Sequence, residues 1–306
     1  MKRFKKICAV IIALLVVLYL GLVVVAFLPQ ETIPVNALSG PQDKFVTVNG
    51  QTIHYLQQGS GKPLILVHGF AGSTYTWRKL TALLADHYTV YALDLLGFGL
   101  SDKPADGNYD LDSQGRLVIG FMDALHIPHA TLAGHSMGGV VVGYAALDAP
   151  SKVAALILVS PGFYGRGAPS FLRYLFFPLD RVMARQFYKR SVRAASLNRS
   201  FYNKSLITAE LIDAYMLPTK TPHAADALAR MMSSVSTRTY EGLVENISTP
   251  SLLVWGDHDA NNPPQDGERL KKELKQSHLV NIKECGHYVQ EEKPDELARV
   301  IKDFLG

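Results

Sequence analysis

Short apolar runs with no polar face recur along the chain. They are Leu64-Ile65-Leu66-Val67, Thr89-Val90-Tyr91-Ala92-Leu93, Ala130-Thr131-Leu132-Ala133, Ala155-Leu156-Ile157-Leu158-Val159, Leu252-Leu253-Val254-Trp255 and His278-Leu279-Val280-Asn281-Ile282. A run that does not alternate predicts a strand covered on both faces, as in a parallel sheet. Helical stretches separate the runs, for example Thr76 to Ala85 and Asp112 to Leu125. Strand and helix in alternation imply right-handed crossovers and an α/β fold with a doubly wound, mostly parallel sheet. Chemistry in such folds gathers at the carboxyl ends of the strands. Ahead of the first buried run, Lys44 to Val48 and Gln51 to Gln57 alternate about Asn49-Gly50, which predicts a hairpin.

Two regions break this rhythm. From about 162 to 240 no strand pattern occurs. Helical segments there carry Phe171, Tyr174, Phe176, Phe177, Phe187, Tyr188, Phe201 and Tyr202 beside Arg173, Arg181, Arg185, Lys189, Arg190 and Arg193. A helical insertion between two sheet strands is expected to form a lid over the carboxyl edge. The other region is the N-terminus, where Lys2, Arg3, Lys5 and Lys6 precede an uncharged run from Ile7 to Leu28. As a helix this run extends roughly 33 Å, enough for a hydrocarbon core about 30 Å thick.

The run is longer than the apolar region of a cleaved signal peptide, and Val24-Val25-Ala26 is a mediocre cleavage site. An uncleaved transmembrane signal anchor is therefore expected, with secretion after cleavage as the alternative. Basic residues before the span, and none from Gln30 to Asp43, put the N-terminus in the cytoplasm and the main body outside it. The expected organisation is an anchor at 1–28, a Pro-rich linker at 29–43, a core at 44–161 and 241–306, and a lid at 162–240.

Composition changes this picture little. The 306 residues are 48% hydrophobic and 19% charged, with a net charge of +4. The basic excess sits in the anchor flank and the insertion, so nucleic acid is not an expected partner. Cys8 lies in the apolar span and Cys285 in the globular part, which leaves no disulfide within the latter. Cys285 reads as a buried strand-end residue. His54, His87, His126 and His129 lack ligand spacing, and no phosphate-cradling glycine loop occurs, so neither a metal nor a cofactor is expected.

The chemistry-bearing stretch is Gly134-His135-Ser136-Met137-Gly138-Gly139. An apolar strand precedes it and a helix follows. A turn this tight strains its apex residue and needs small neighbours two positions away on either side. The strain lifts the Ser136 hydroxyl clear of the sheet. The Met137 N–H then lies at a helix N-terminus, where it can help bind an oxyanion. The bland alternative is a glycine-rich turn holding a serine by chance.

A serine nucleophile also needs a base, a carboxylate to orient that base and a second oxyanion donor. His287 follows the last predicted strand, and Asp259 follows the preceding one. The Phe70 N–H, in His68-Gly69-Phe70-Ala71-Gly72 after the first buried run, is the second donor candidate. Singly, each has an ordinary explanation as a capping histidine, a polar turn or a loop dipeptide. Together they fall at strand ends in the order nucleophile, acid, base, which coincidence explains poorly.

At these residues the chain resembles the α/β-hydrolase family. His68-Gly69-Phe70 resembles its oxyanion segment and Asp94-Leu95-Leu96-Gly97-Phe98-Gly99-Leu100-Ser101 its Asp-x-x-Gly-x-Gly-x-Ser loop. Gly134 to Gly138 matches the elbow, Gly256-Asp257-His258-Asp259 the acid turn, and Gly286-His287 with Glu291 to Pro294 the terminal histidine motif. The resemblance covers residues 44 to 306. It implies Asp259 as the acid, with Asp257 the weaker candidate, and Asp94 as a structural residue that holds its loop through backbone N–H groups. Leu96 departs from the proline common at that place. Ser136 disfavours the branches with an aspartate nucleophile.

The expected function is serine-dependent cleavage of a carboxylic ester, small or lipid, with an apolar acyl group. The membrane is an expected partner through the anchor and through a basic, aromatic lid. A solvated helix face with ordinary core aromatics explains that lid equally well. Hydrolysis of a carbon–carbon bond in a ring-cleavage dienone is the alternative activity. A non-catalytic binding protein on the same fold is the reading from another class.

Overall fold

The computed structural model describes residues 2–164, 177–234 and 244–306. After α1 (Lys2–Phe27) and the short α2 (Val35–Leu38), a hairpin of β1 (Lys44–Val48) and β2 (Gln51–Gln58) leads into the core. There β3 (Lys62–Val67), α3 (Arg78–Leu84), β4 (Tyr88–Leu93), α4 (Leu111–Ala124), β5 (Ala130–His135), α5 (Met137–Asp148) and β6 (Val153–Val159) alternate. The insertion holds α6 (Leu179–Phe187), α7 (Arg190–Ser200), α8 (Ala209–Met216) and α9 (Ala224–Ser233). The chain closes with β7 (Ser251–Gly256), α10 (Pro264–Glu273), β8 (Ser277–Ile282), α11 (Val289–Glu292) and α12 (Pro294–Leu305).

The strands form one eight-stranded sheet in the order β1-β2-β4-β3-β5-β6-β7-β8. β2 runs antiparallel to β1 and β4, and the pairs from β4 to β8 are parallel. This is the fold class read from the sequence. Apolar layers cover both faces. Phe121 of α4, Val141 of α5 and Leu270 of α10 join one core, while Leu80 of α3 and Leu297 and Ile301 of α12 join the other. Strand pattern and burial agree for β3, β5, β6 and β7. They disagree at β8, expected to be covered on both faces: it is an edge strand in which only Ile282 is buried. His278 and Asn281, the polar members of that run, are exposed. The expected helix from Thr76 begins as a 3-10 turn, Thr74–Trp77, and becomes α-helical at Arg78.

The insertion has a small core of its own, with Leu197, Phe201, Leu211, Ile212, Tyr215 and Met216. It is also tied to the main body. The buried Tyr215 hydroxyl lies 2.9 Å from Thr76 Oγ1 and donates to Glu291 Oε1 at 3.0 Å. Glu291 in turn pairs with Arg78 and Lys79. Phe171, Arg173, Tyr174 and Phe176 lie outside the described residues, as does the 240/241 boundary. Two of the insertion's cations pair within it, Arg181 with Asp226 and Arg190 with Asp213, and Arg193 is buried.

α1 is a helix long and apolar enough to cross a membrane, and its apolar side chains are exposed over most of its length. Its C-terminal end docks on the insertion. Ala26 is buried, the Arg185 guanidinium donates to the Val25 carbonyl at 2.9 Å, and the Phe27 and Phe177 rings lie 5.7 Å apart. Further on, the Ile33 N–H donates to the Lys220 carbonyl at 2.9 Å. The segment read as a Pro-rich linker is thus fastened to the insertion at Ile33.

Candidate active site

Ser136 sits between β5 and α5 with φ 53° and ψ −116°, a backbone conformation that L-residues rarely adopt. The glycines around it are required by contact. A Cβ at Gly134 would lie 2.2 Å from the Gly138 carbonyl oxygen, and one at Gly138 would lie 2.3 Å from that of Val67. Only hydrogen fits at both places, so the chain can turn back on itself with a serine at the apex. The next residue, Met137, opens α5, and its N–H belongs to the unsatisfied first turn.

His287 and Asp259 converge on this apex from the two following loops. His287 Nδ1 lies 2.8 Å from Asp259 Oδ2, and both residues are buried. Asp259 Oδ1 accepts from the N–H groups of Asn261 and Asn262 at 2.8 and 2.9 Å. The carboxylate is therefore fixed at both oxygens, with one aimed at the imidazole. Asp257 is occupied elsewhere, its Oδ1 accepting from the Cys285 N–H at 3.3 Å. The His287 N–H donates to the Ser200 carbonyl at 2.7 Å, which joins the histidine loop to the insertion.

A cavity of ≈ 130 Å³ opens onto Ser136 and His287, walled by the turn from Gly69 to Gly72 and by Phe187 and Arg193 of the insertion. Among the described residues the Ser136 hydroxyl makes no hydrogen bond. It shares the cavity with the imidazole, the looser arrangement common before substrate binds. The Phe70 turn lies directly against the serine, since a Cβ at Gly69 would sit 3.2 Å from Ser136 Cβ. All five residues singled out from the sequence thus lie at or beside one cavity: Ser136, Asp259, His287, Phe70 and Met137.

Neighbouring groups are held neutral or inert. Burial and the nearby His287 hold the His135 imidazole well below its ordinary pKa. Its Nε2 faces the His287 carbonyl at 3.0 Å. His68 is likewise pushed down by burial. Its Nδ1–H donates to the Gly69 carbonyl at 2.8 Å, and its Nε2 accepts from the Leu95 N–H at 3.1 Å. Burial raises the Cys285 thiol far above its usual range, so no thiolate forms beside the histidine.

Asp94 does hold its loop as the resemblance implied, accepting from the N–H groups of Thr74 at 2.7 Å and Leu100 at 2.8 Å. Sequence reasoning missed its third partner, His54, which had shown no ligand spacing. It also missed that Arg193 reaches the cavity wall and that Tyr215 anchors α8. Each lies far from its partner along the chain, so no local pattern signals the contact. Among the described residues no cluster of potential metal ligands occurs.

A family model described as alpha/beta hydrolase fold matches residues 62–294. A Bacillus subtilis (strain 168) protein named uncharacterized hydrolase YugF is 32% identical over 262 residues, spanning 85% of this chain and 96% of its own. The 2-hydroxy-6-oxo-2,4-heptadienoate hydrolase of Pseudomonas putida (strain F1) is 28% identical over 281 residues, spanning 89% of this chain and 98% of its own. Among solved structures, a bacterial membrane phospholipase A described as a virulence factor is similar, with a TM-score of 0.74 and 27% identity. That likeness covers 100% of this chain and 98% of the other.

Proposed function

The chain belongs to the α/β-hydrolase family, and from that premise we propose that it is a membrane-anchored serine hydrolase cleaving carboxylic esters with an apolar acyl group. The observation that carries the reading is the fixed pair of Asp259 and His287 on the cavity at Ser136. Ser136 attacks the ester carbonyl while His287 accepts the hydroxyl proton. Asp259 keeps Nδ1 protonated, so that Nε2 is the free base. The Phe70 and Met137 N–H groups receive the oxyanion. Collapse of the tetrahedral intermediate expels the alcohol, which takes the proton from His287. Water, deprotonated by the same imidazole, then releases the acid and restores Ser136.

Apolar, membrane-borne esters are favoured because the insertion, read as a lid, is fastened to the end of α1. A helix in the bilayer would hold the cavity mouth near the headgroups. The same docking supports an uncleaved anchor. The basic residues Lys2, Arg3, Lys5 and Lys6 at the start of α1 support an extracytoplasmic catalytic body. The similarity to a membrane phospholipase A over the whole chain, α1 included, agrees with this substrate class.

The test is turnover of p-nitrophenyl esters and monoacylglycerols by the full-length protein in detergent, with Ser136→Ala as control. Labelling of Ser136 by a fluorophosphonate is expected, and loss of both activities is expected in the variant. Activity that survives Ser136→Ala defeats the proposal. A second reading, cleavage of a carbon–carbon bond in a ring-cleavage dienone, is favoured by the end-to-end similarity to the Pseudomonas putida hydrolase. Turnover of a vinylogous diketone without ester turnover would select it.

A further inference from the structure

We propose that Arg193 is a positioning residue, holding from the insertion the strained turn that presents the Phe70 N–H to the oxyanion. The inference rests on the serine-hydrolase reading above and deepens it. The Gly72 N–H donates to the Gly69 carbonyl at 3.1 Å, which makes Phe70 and Ala71 the central residues of a four-residue turn. Ala71 has φ 50°, in the left-handed region where glycine is the favoured occupant. An alanine stays there only when its surroundings over-determine it.

Two of those surroundings come from the insertion. Arg193 Nη2 of α7 donates to the Ala71 carbonyl at 2.9 Å, in a buried position. The Phe187 ring of α6 meets the Phe70 ring edge-on at 5.9 Å. From the core side, His68 Nδ1–H holds the Gly69 carbonyl. The turn is therefore clamped between sheet and insertion, directly against Ser136. A small tilt of its peptides changes where the Phe70 N–H points, and catalysis is sensitive to misplacement on the scale of 1 Å.

The character of Arg193 fits this role. It is 5% exposed, and among the described residues no carboxylate pairs with it. Burying an unpaired guanidinium is unfavourable, so a residue needed for packing alone would be apolar. The rival account is that Arg193 reads an anionic group on the substrate, because its buried Nε has no partner among the described residues and it borders the cavity. The two accounts differ in which kinetic constant they move.

The experiment uses the full-length protein in detergent with a neutral probe, p-nitrophenyl butyrate. Arg193→Gln should lower kcat about tenfold to a hundredfold and leave KM within about twofold. In an Ala71→Gly background, where φ 50° carries little strain, the loss caused by Arg193→Gln should shrink at least about threefold. An unchanged kcat, a change confined to KM, or an equal loss in both backgrounds overturns the inference. Should Arg193→Gln fail to fold by thermal melt, the same comparison with Arg193→Met decides, since a thioether cannot donate to the Ala71 carbonyl. Absence of ester turnover and Ser136 labelling in the parent protein is failure of the hydrolase reading instead.

Discussion

The ring of His54 and the carboxylate of Asp94 meet at 2.7 Å in the interior, forty positions apart in the chain. On its other side, His54 Nε2 lies 2.7 Å from Asp43 Oδ1. Burial alone would lower the pKa of this imidazole, but the charges and hydrogen bonds of Asp94 and Asp43 outweigh it and raise the value. Burial would likewise raise Asp94, yet His54, with help from the Leu100 N–H, holds it down to about 2. The His54 side chain therefore bridges the segment after α2 and the loop beside the oxyanion turn.

The stability that this bridge supplies depends on pH with a definite sign. With its folded-state pKa raised, His54 contributes fully below about pH 6.5 and loses the contribution as pH climbs through the raised value. Asp94 contributes fully above about pH 4 and loses it only on acidification toward its depressed value. His54→Gln should therefore cost about 3 kcal/mol at pH 5.5 and clearly less at pH 9. Thermal unfolding of the full-length protein in detergent at the two pH values measures the difference. Equal losses would show that the imidazole is neutral throughout.

The two carboxylates of the acid turn are separable by mutation. Asp259 Oδ2 holds the imidazole, whereas Asp257 Oδ1 receives the Cys285 N–H. Asp259→Asn should reduce kcat by about 10⁴, because an amide donor there favours the wrong histidine tautomer. Asp257→Asn should keep kcat within about tenfold, since an amide oxygen can still accept the backbone N–H. Comparable losses in both variants would remove Asp259 from its assigned role.

The elbow gives a steric prediction. In Gly138→Ala the added methyl would meet the carbonyl oxygens of Val67 and His68 at 2.3 and 2.5 Å, and both are backbone atoms of the central strand and its turn. Relief needs a shift of β3 or α5, so a stability loss of about 3 kcal/mol or more is expected, with loss of fluorophosphonate labelling. Gly21→Ala is the control: nothing lies within 4 Å of its Cβ position, and the melting temperature should not fall.

Those contrasts show what the sequence makes legible. The elbow is local, so spacing alone reports it: Gly134 and Gly138 are glycines because their Cβ positions are already filled by backbone. The buried strands are legible because their apolar runs have no polar face. β8 was misread because two apolar residues between His278 and Asn281 cannot distinguish a central strand from an edge. Arg193, Tyr215 and His54 were invisible as site neighbours for another reason. Each acts through a partner more than thirty residues away, and on a helix or hairpin such residues resemble ordinary surface cations, core aromatics or scattered histidines.

A cleaved signal would discard the end of α1, yet that end is built into the protein. Ala26 is buried, Val25 receives Arg185, and the Arg181 guanidinium lies 4.9 Å from the centre of the Phe27 ring. Cleavage after Ala26 would remove the first two of these contacts. The mature protein should therefore retain the peptide containing Cys8 and resist alkaline carbonate extraction from membranes. A variant beginning at residue 29 should melt about 2–4 °C lower, because Phe177 and Arg181 lose the Phe27 ring. A mature N-terminus just after Ala26, with an unchanged melting temperature, would make the docking incidental and the protein secreted. Retention with a lowered melting temperature would tie to the bilayer the insertion whose Phe187 and Arg193 wall the cavity.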